Sequence, residues 1–166
     1  QHRLRACGRV GYGPRRARRR RSGKFRIQEA PLVVNKPFPT GDILAHSPFA
    51  AFLGVEMDES DGAHLYRLVE RERLVGNVQL PALHGGAIAA FLELCCAAEL
   101  ARVAGLHTPP RPISINLQYI ASAGPVPTFS KPQVRRIGRR VAVVHGEAWQ
   151  LGPDKPICAA QCEFRI

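Results

Sequence analysis

The longest apolar stretch of the chain lies near its centre and predicts a single long helix. Residues 87–103 contain no glycine or proline, and most of them are alanine, leucine or glutamate, which favour helices. The pair Gly85-Gly86 marks the start of this stretch, and Gly105 is a natural stop. We therefore predict one helix over residues 84–104, roughly 30 Å long at about 1.5 Å per residue.

This predicted helix is apolar on nearly every side, so we expect it to be buried. Glu93 breaks the pattern, and no basic residue stands three or four positions away from it. A carboxylate in such a setting is costly unless it is paired, hydrogen-bonded or open to a wet cleft. Its neighbours on the same stripe of the helix are all small: Gly86, Ala89, Ala90 and Ala97. Because they leave room for a ligand, Glu93 is the first candidate for chemistry.

The first turn of the helix is the second unusual feature. Gly85 and Gly86 leave backbone N–H groups accessible at the positive end of the helix dipole, which suits an anion or a developing oxyanion. Gly85 and Glu93 lie roughly 12 Å apart along the helix axis, so one copy cannot bring both to the same carbonyl group. A shared site would need two antiparallel copies of the helix, and therefore a dimer.

Shorter apolar runs on both sides of the helix predict β-strands. Residues 55–69 are predicted to form a hairpin with its turn at residues 60–62. Four β-rich runs follow the helix, over residues 112–121, 127–137, 139–151 and 157–166. Pro132, inside the second run, indicates a sheet edge or a bulge. One buried helix with short antiparallel connections predicts an α+β fold, in which the helix packs against a curled antiparallel sheet.

The segments before the helix carry turn and capping residues. Residues 42–53 predict a short helix or two turns, with Asp42 as the N-cap and Gly54 as the stop. Residues 70–80 are predicted to be a connecting loop with a turn at Gly76-Asn77.

The positive charge of the chain is concentrated at its N-terminal end. The formal net charge is +11; residues 1–30 hold eleven Lys or Arg and one acid, whereas residues 31–166 hold thirteen basic and twelve acidic residues. Residues 1–30 are therefore predicted to be an Arg-rich disordered extension of a globular domain over residues 31–166, which begins with a Pro-rich linker. The extension could be a solvated tail, a targeting segment, or a contact to nucleic acid or an anionic membrane. We favour the solvated tail.

The cysteine pattern argues against metal or disulfide chemistry. The five cysteines show no CxxC spacing and no clustering with histidine, so we expect buried, reduced thiols in a cytoplasmic protein and no metal site. No charge-free apolar run reaches the ~18 residues that a membrane span requires.

The helix start and its acid together resemble a known family. The run HGGAIAAFLE, with an acid nine residues after the histidine, is similar to the signature of the hotdog-fold acyl-CoA thioesterases of the PaaI-like (phenylacetate-degradation) group. The resemblance covers about residues 42–166 and implies a long helix wrapped by an antiparallel sheet. It also implies that the Gly85 amide polarises the thioester carbonyl, and that Glu93 of the partner subunit acts as base or nucleophile.

The resemblance further implies an Asn or Gln ahead of the HGG motif that orients the water or the substrate. Val78 stands at that position here, and Asn77 and Gln79 flank it. We favour Asn77 as the third catalytic residue, with Gln79 behind it as a substrate contact. Some relatives carry a threonine at the position of Ala97, so this chain lacks the hydroxyl group that the threonine would supply.

The remaining candidates would contact the substrate. His84 shapes the turn into the helix, and Gly86 is either an amide donor or a glycine that allows close packing. Ser114 and Asn116, in the strand after the helix, are candidates for lining the pocket. The hairpin arginines around Arg139 could bind the phosphates of CoA.

We therefore expect a homodimeric or tetrameric thioesterase that hydrolyses an acyl-CoA without a metal or a redox cofactor. Two alternatives stay open at this point. One is a hotdog hydratase or dehydratase, although His84 is the single histidine near the acid and the HFPG-like signature of that class is absent. The other is a non-catalytic acyl-CoA-binding or scaffold module, which its Arg-rich extension would attach to a surface or to nucleic acid.

Overall fold

The computed structural model describes residues 43–60, 63–77 and 79–166. The predictions for residues 1–30, for the linker and for Asp42 lie outside these residues. The helices and strands are α1 (Pro48–Leu53), β1 (Val55–Ser60), β2 (Ala63–Leu68), β3 (Val75–Asn77), β4 (Ala82–Leu83), α2 (Gly85–Ala104), β5 (Arg111–Tyr119), β6 (Thr128–Ser130), β7 (Gln133–Ile137), β8 (Val141–Trp149) and β9 (Pro156–Arg165). A 3₁₀ turn, Glu72–Leu74, precedes β3.

Within the described residues, seven strands form one antiparallel sheet in the order β1-β2-β6-β8-β9-β5, and β7 also pairs with β8. β6 and β7 come from the single run predicted over residues 127–137, which is interrupted at Lys131 and Pro132. Proline has no N–H to donate to a strand ladder, so the break falls where Pro132 indicated it. Helix α2 contacts β2, β5, β7, β8 and β9. The predicted α+β fold is confirmed.

Helix α2 has the predicted bounds because both of its ends are capped. His84 precedes the helix, and its Nδ1 accepts a hydrogen bond of 2.9 Å from the N–H of Gly86. At the other end Gly105 has a φ of 61°, a left-handed conformation that favours glycine. The N–H of Leu106 then donates to the carbonyl of Ala101 over 2.8 Å. Phe91, Leu92 and Leu100 of α2 are fully buried.

The short helix α1 differs from its prediction at the N-terminal end. It begins at Pro48, and Ser47 is its N-cap, with Oγ accepting from the N–H of Ala50 over 3.1 Å. Serine followed by proline is a strong start signal, which is why residues 43–46 form turns and the helix begins at Pro48. Its stop is the predicted one, since Gly54 has a φ of 80°.

Part of the predicted loop over residues 70–80 is a strand. β3 pairs with β4 in a small two-stranded ladder, in which Val75 lies opposite Leu83. Gly76 permits this pairing, because a Cβ atom there would lie 2.8 Å from the Cα of His84. The ladder brings the end of β3 close to the first turn of α2.

The register of β5 and β9 decides which side chains face α2. β9 buries alternate residues against the helix: Cys158, Ala160, Cys162 and Phe164. Ile115 and Leu117 of β5 lie opposite Cys162 and Ala160 and pack on the same core. Ser114 and Asn116 alternate with them and therefore lie on the opposite, outer face of the sheet.

Candidate active site

Glu93 lies on the wall of a cavity. Its side chain is partly buried and forms no ion pair or hydrogen bond with a described residue. The cavity has a volume of about 280 Å³. It is lined by Ile43, His46, Ser47, Glu93, Leu94, Ala97, Pro109, Pro110, Pro112 and Phe164. Most of these side chains are apolar, so the carboxylate is the main acidic group available to a ligand there.

The first turn of α2 leaves one backbone donor open. The N–H of Gly86 is bonded to His84, and the N–H groups of Ala87 and Ile88 donate to the carbonyl of His84 at 2.9 and 3.3 Å. The N–H of Gly85 has no acceptor among the described residues. Because it stands at the positive end of the helix dipole, it can bind an oxyanion. His84 is the N-cap of α2, and this position agrees with its predicted place in the turn that leads into the helix.

Tyr119 holds the first turn from the sheet side, a contact that sequence reasoning missed. Its hydroxyl donates to the carbonyl of Gly85 over 2.9 Å. A Cβ atom at residue 85 would lie 3.2 Å from the tyrosine ring, so glycine allows the ring to approach. The alternation of β5 placed Tyr119 on the inner face, but nothing in the sequence indicates the bond to a residue 34 positions earlier.

Asn77 lies at the end of β3, and its carbonyl oxygen is used within the loop. Oδ1 accepts from the backbone N–H groups of Gln79 at 2.9 Å and Leu80 at 3.2 Å, which is an Asx turn. The Nδ2 group has no acceptor among the described residues, so it is the part of Asn77 that could reach a substrate. Gln79 is exposed on the same turn.

The structure does not bring Ser114 and Asn116 to α2. Both lie on the outer face of β5, and Ser114 Oγ donates to Glu163 Oε2 over 3.1 Å. Arg139 is exposed at the β7–β8 hairpin and does not line the cavity of Glu93. The structure therefore groups the site candidates in two places, Glu93 with its cavity and Gly85 with Asn77.

The cysteines near Glu93 are unsuited to act as nucleophiles. Cys95, Cys96, Cys158 and Cys162 are free and buried. The hydrogen bond to Cys162, and then burial, raise the pKa of the Cys96 thiol, and the charge of Glu93 adds to this effect. Burial likewise raises the pKa of Cys95 well above its ordinary value. The same hydrogen bond lowers the pKa of Cys162, but this thiol is fully buried and inaccessible to a substrate. Buried thiols are poor nucleophiles, so the carboxylate of Glu93 stays the candidate reactive group.

The described residues offer no metal cluster and no membrane-spanning helix. No group of three or more His, Cys, Asp or Glu side chains there is arranged to hold a metal ion. Neither described helix has the length and hydrophobicity required to span a bilayer.

Solved structures identify the class of fold. The chain is similar to a phenylacetic acid degradation-related protein from Ralstonia eutropha, with a TM-score of 0.62 and 23% identity over 74% of this chain and 96% of that one. It is similar to a Bacillus halodurans protein solved with CoA, with a TM-score of 0.64 and 20% identity over 72% and 78%. The E. coli PaaI protein, from the phenylacetic acid degradation operon, matches with a TM-score of 0.60 and 15% identity over 70% and 86%. The fold is the hotdog thioesterase fold.

The family follows from the sequence itself. Residues 76–165 match the family described as the acyl-CoA thioesterase N-terminal domain, and the chain belongs to that family. No curated protein matches the sequence. The resemblance inferred from the HGGAIAAFLE run is confirmed, and the matched region includes both α2 and the strands that pack on it.

Proposed function

We propose that the protein hydrolyses acyl-CoA or aryl-CoA thioesters at a site built from two copies of α2. Glu93 of one copy is the base or the nucleophile, and the N–H of Gly85 of the partner subunit polarises the thioester carbonyl. The observation that carries the proposal is the Glu93 carboxylate, which lines a cavity and has no partner among the described residues. Membership of an acyl-CoA thioesterase family supports the reaction class.

A homodimer is part of the proposal because one copy cannot supply both groups. Gly85 and Glu93 are roughly 12 Å apart along α2. β5 is the last strand of the described sheet on its side, so one edge of it is unpaired there. Ile113, Tyr119 and Ile120, on or next to this strand, are each more than half exposed. Pairing of β5 with a second copy would bury apolar surface and bring the two helices together in antiparallel orientation.

In this proposal Gly85 and Glu93 have separate roles in the reaction. As the thioester carbonyl carbon becomes tetrahedral, its oxygen gains charge, and the Gly85 N–H with the helix dipole stabilises that charge. Glu93 either takes a proton from the attacking water or attacks the carbon itself to give an anhydride that water then opens. In both routes the C–S bond breaks, CoA leaves as a thiolate that takes up a proton, and the acyl group leaves as a carboxylate.

Asn77 has a supporting role in this proposal. β3 lies against His84, so the Asn77 amide is near the first turn of α2, and its Nδ2 group can hold the water or the thioester oxygen. Replacing Asn77 by Asp keeps the acceptor of the Asx turn and removes the amide donor, so this variant tests the role without disturbing the loop.

The first test is a thiol-release assay over short, medium, long-chain and aryl CoA esters, using the full chain. We expect turnover of at least one class of ester. Binding of these esters without release of CoA would contradict the proposal and favour a binding module.

The second test addresses the shared site. We expect Glu93→Gln and Gly85→Pro to be inactive as separate homodimers, since proline fits the first helical position but removes the N–H and displaces the Tyr119 ring. After equal amounts of the two variants are unfolded together and refolded, half of the dimers are mixed, and each mixed dimer contains one intact site. We expect the mixture to recover roughly a quarter of wild-type activity. No recovery in a mixture shown to contain mixed dimers would contradict the two-copy site.

A further inference from the structure

The cavity of Glu93 continues along α2 beyond the carboxylate. Leu94 and Ala97 line it together with Glu93, and Ala97 stands one turn further along the same face of the helix. Gly85 of the same chain lies in the opposite direction, at the start of α2. A thioester carbonyl held beside Glu93 therefore has open space on the side that leads towards Ala97.

The wall of this cavity contains rigid residues. Phe164 of β9 is fully buried and lies opposite Pro112 of β5 in the strand register, and both residues line the cavity. Pro109 and Pro110 belong to the same wall. The ring of a proline fixes its φ near about −65°, so this part of the chain has little freedom to move outwards. The wall therefore limits the size of a ligand and does not adapt to it.

The volume of the cavity determines how many atoms fit. The volume is about 280 Å³. A water molecule in the liquid takes up roughly 30 Å³, and a carbon atom with its hydrogens takes up a similar volume. The cavity therefore holds roughly nine heavy atoms. An aliphatic chain of about sixteen carbons needs almost twice that space, whereas a medium-length chain or a single aromatic ring fits.

The lining of the cavity favours an apolar occupant. Aliphatic, proline and phenyl side chains make up most of it, and His46 and Ser47 are the polar residues there besides Glu93. Ser47 Oγ is engaged as the N-cap of α1. No lysine or arginine of the described residues lines the cavity, so an acyl group with an acidic end would meet no permanent positive charge there.

We propose that Leu94 and Ala97 determine which acyl groups the protein accepts, and that it acts on thioesters of compact apolar acyl groups of up to roughly nine heavy atoms. The inference rests on the proposed function, because it assigns the Glu93 cavity to the acyl group of the same thioester. Ala97 leaves the cavity open one turn beyond the carboxylate, and Leu94 fills part of the space beside it. A change of size at either residue therefore changes the longest acyl group that fits.

The test measures kcat/KM for CoA esters of straight-chain acyl groups with about four, eight and sixteen carbons, using the full chain. We expect the wild type to hydrolyse the longest ester at least about tenfold less efficiently than the medium one. Ala97→Leu narrows the cavity, so kcat/KM for the medium ester should fall about tenfold or more, while that for the short ester changes less than about threefold. Leu94→Ala widens the cavity and should raise kcat/KM for the longest ester about tenfold.

Two matched control variants make the same changes of size outside the cavity. Ala104 and Leu106 are partly buried and pack on the same core, but neither lines the Glu93 cavity. Ala104→Leu and Leu106→Ala should therefore leave the ratio of kcat/KM between the three esters as it is in the wild type. If Ala97→Leu does not fold, Leu94→Ala still tests the inference, because its expected effect is a gain for one ester.

Three results would overturn the inference: equal hydrolysis of the medium and longest esters by the wild type, an equal change for all esters in the two cavity variants, or no change in either variant. A calorimetric titration with CoA thioethers of the same chain lengths separates the inference from the proposed function, because a thioether cannot be hydrolysed. We expect the longest thioether to bind the wild type about tenfold more weakly than the medium one, and Leu94→Ala to remove this difference.

The two measurements fail independently. If no ester is hydrolysed, the proposed function fails, and the titration alone decides the role of the cavity. Equal affinity for the medium and longest thioethers in the wild type, or no binding of the medium one, would then refute the assignment of the cavity to the acyl group.

Discussion

Helix α2 carries two carboxylates, and their surroundings differ in every respect that bears on chemistry. Glu99 is 9% exposed and accepts hydrogen bonds of 3.1 Å from the Tyr66 hydroxyl and 3.1 Å from Arg102 Nε. Glu93 is partly buried on a cavity wall and has no partner among the described residues. The same side chain on the same helix is therefore used for structure at one position and left available at the other.

The difference indicates how to separate a structural acid from a reactive one. Glu99 offsets the cost of burial with a cation and a hydroxyl, so its lone pairs are engaged and removal of a partner would destabilise the fold. Nothing among the described residues offsets the burial of Glu93. A local cost that the fold does not compensate is expected at functional sites. The predictions below test this contrast.

The largest effect is expected from Glu93→Gln. The amide keeps the size of the side chain but can neither accept a proton from water nor attack the thioester. We expect kcat for CoA ester hydrolysis to fall about 10²-fold or more. Because Glu93 has no described partner, the urea unfolding midpoint should stay close to that of the wild type. Full activity in this variant would remove Glu93 from the mechanism.

Glu99→Gln is expected to lower the stability of the protein and to leave its activity nearly unchanged. The change leaves Arg102 without its charged partner, so we expect the free energy of unfolding to fall by about 1–3 kcal/mol. Since Glu99 does not line the Glu93 cavity, kcat should change by less than about threefold, as the properly folded fraction still contains the site. The measurements are urea unfolding and steady-state kinetics on the same preparation. A loss of kcat equal to that of Glu93→Gln would refute the contrast.

The framework of the fold could be predicted from the sequence because local signals determine it. The bounds of α2 follow from His84 and Gly105 at its ends, and the break between β6 and β7 follows from Pro132. The start of α1 at Ser47-Pro48 is less certain from the sequence, because both Asp42 and Ser47 are good N-cap residues. β3 was missed because it is only three residues long.

The arrangement of the site depends on long-range register, which the sequence does not display. The structure places Ser114 and Asn116 on the outer face of β5, away from α2, and their role in lining the pocket stays a prediction. The Tyr119–Gly85 bond depends on this register, because it joins two distant elements. The sequence marks Asn77 as a turn residue, but it does not display the hydrogen bonds of its Asx turn. The shared site itself stays a prediction, because it needs a second copy.

The smallest effect is expected at Tyr66, the neutral partner of Glu99. Burial, and then the charge of Glu99, raise the pKa of Tyr66 above its ordinary value of 10.0. The folded protein therefore holds this proton more tightly than the unfolded chain does. Its contribution to stability is complete below about pH 10 and is lost as the pH rises further. Phenylalanine has no such proton, so Tyr66→Phe should lack this part of the pH dependence.

The comparison of wild type and Tyr66→Phe by urea unfolding between about pH 8 and pH 11 tests this reasoning. Near pH 8 the variant should be less stable by about 0.5–1.5 kcal/mol, because the hydrogen bond to Glu99 is lost. Above pH 10 the difference should shrink as the wild type loses the tyrosine contribution. Burial also raises the pKa of Cys95 and Cys158 above 9.0, so both proteins should weaken from about pH 9 onward. A difference that stays constant up to pH 11 would mean that the pKa of Tyr66 is not raised in the folded protein.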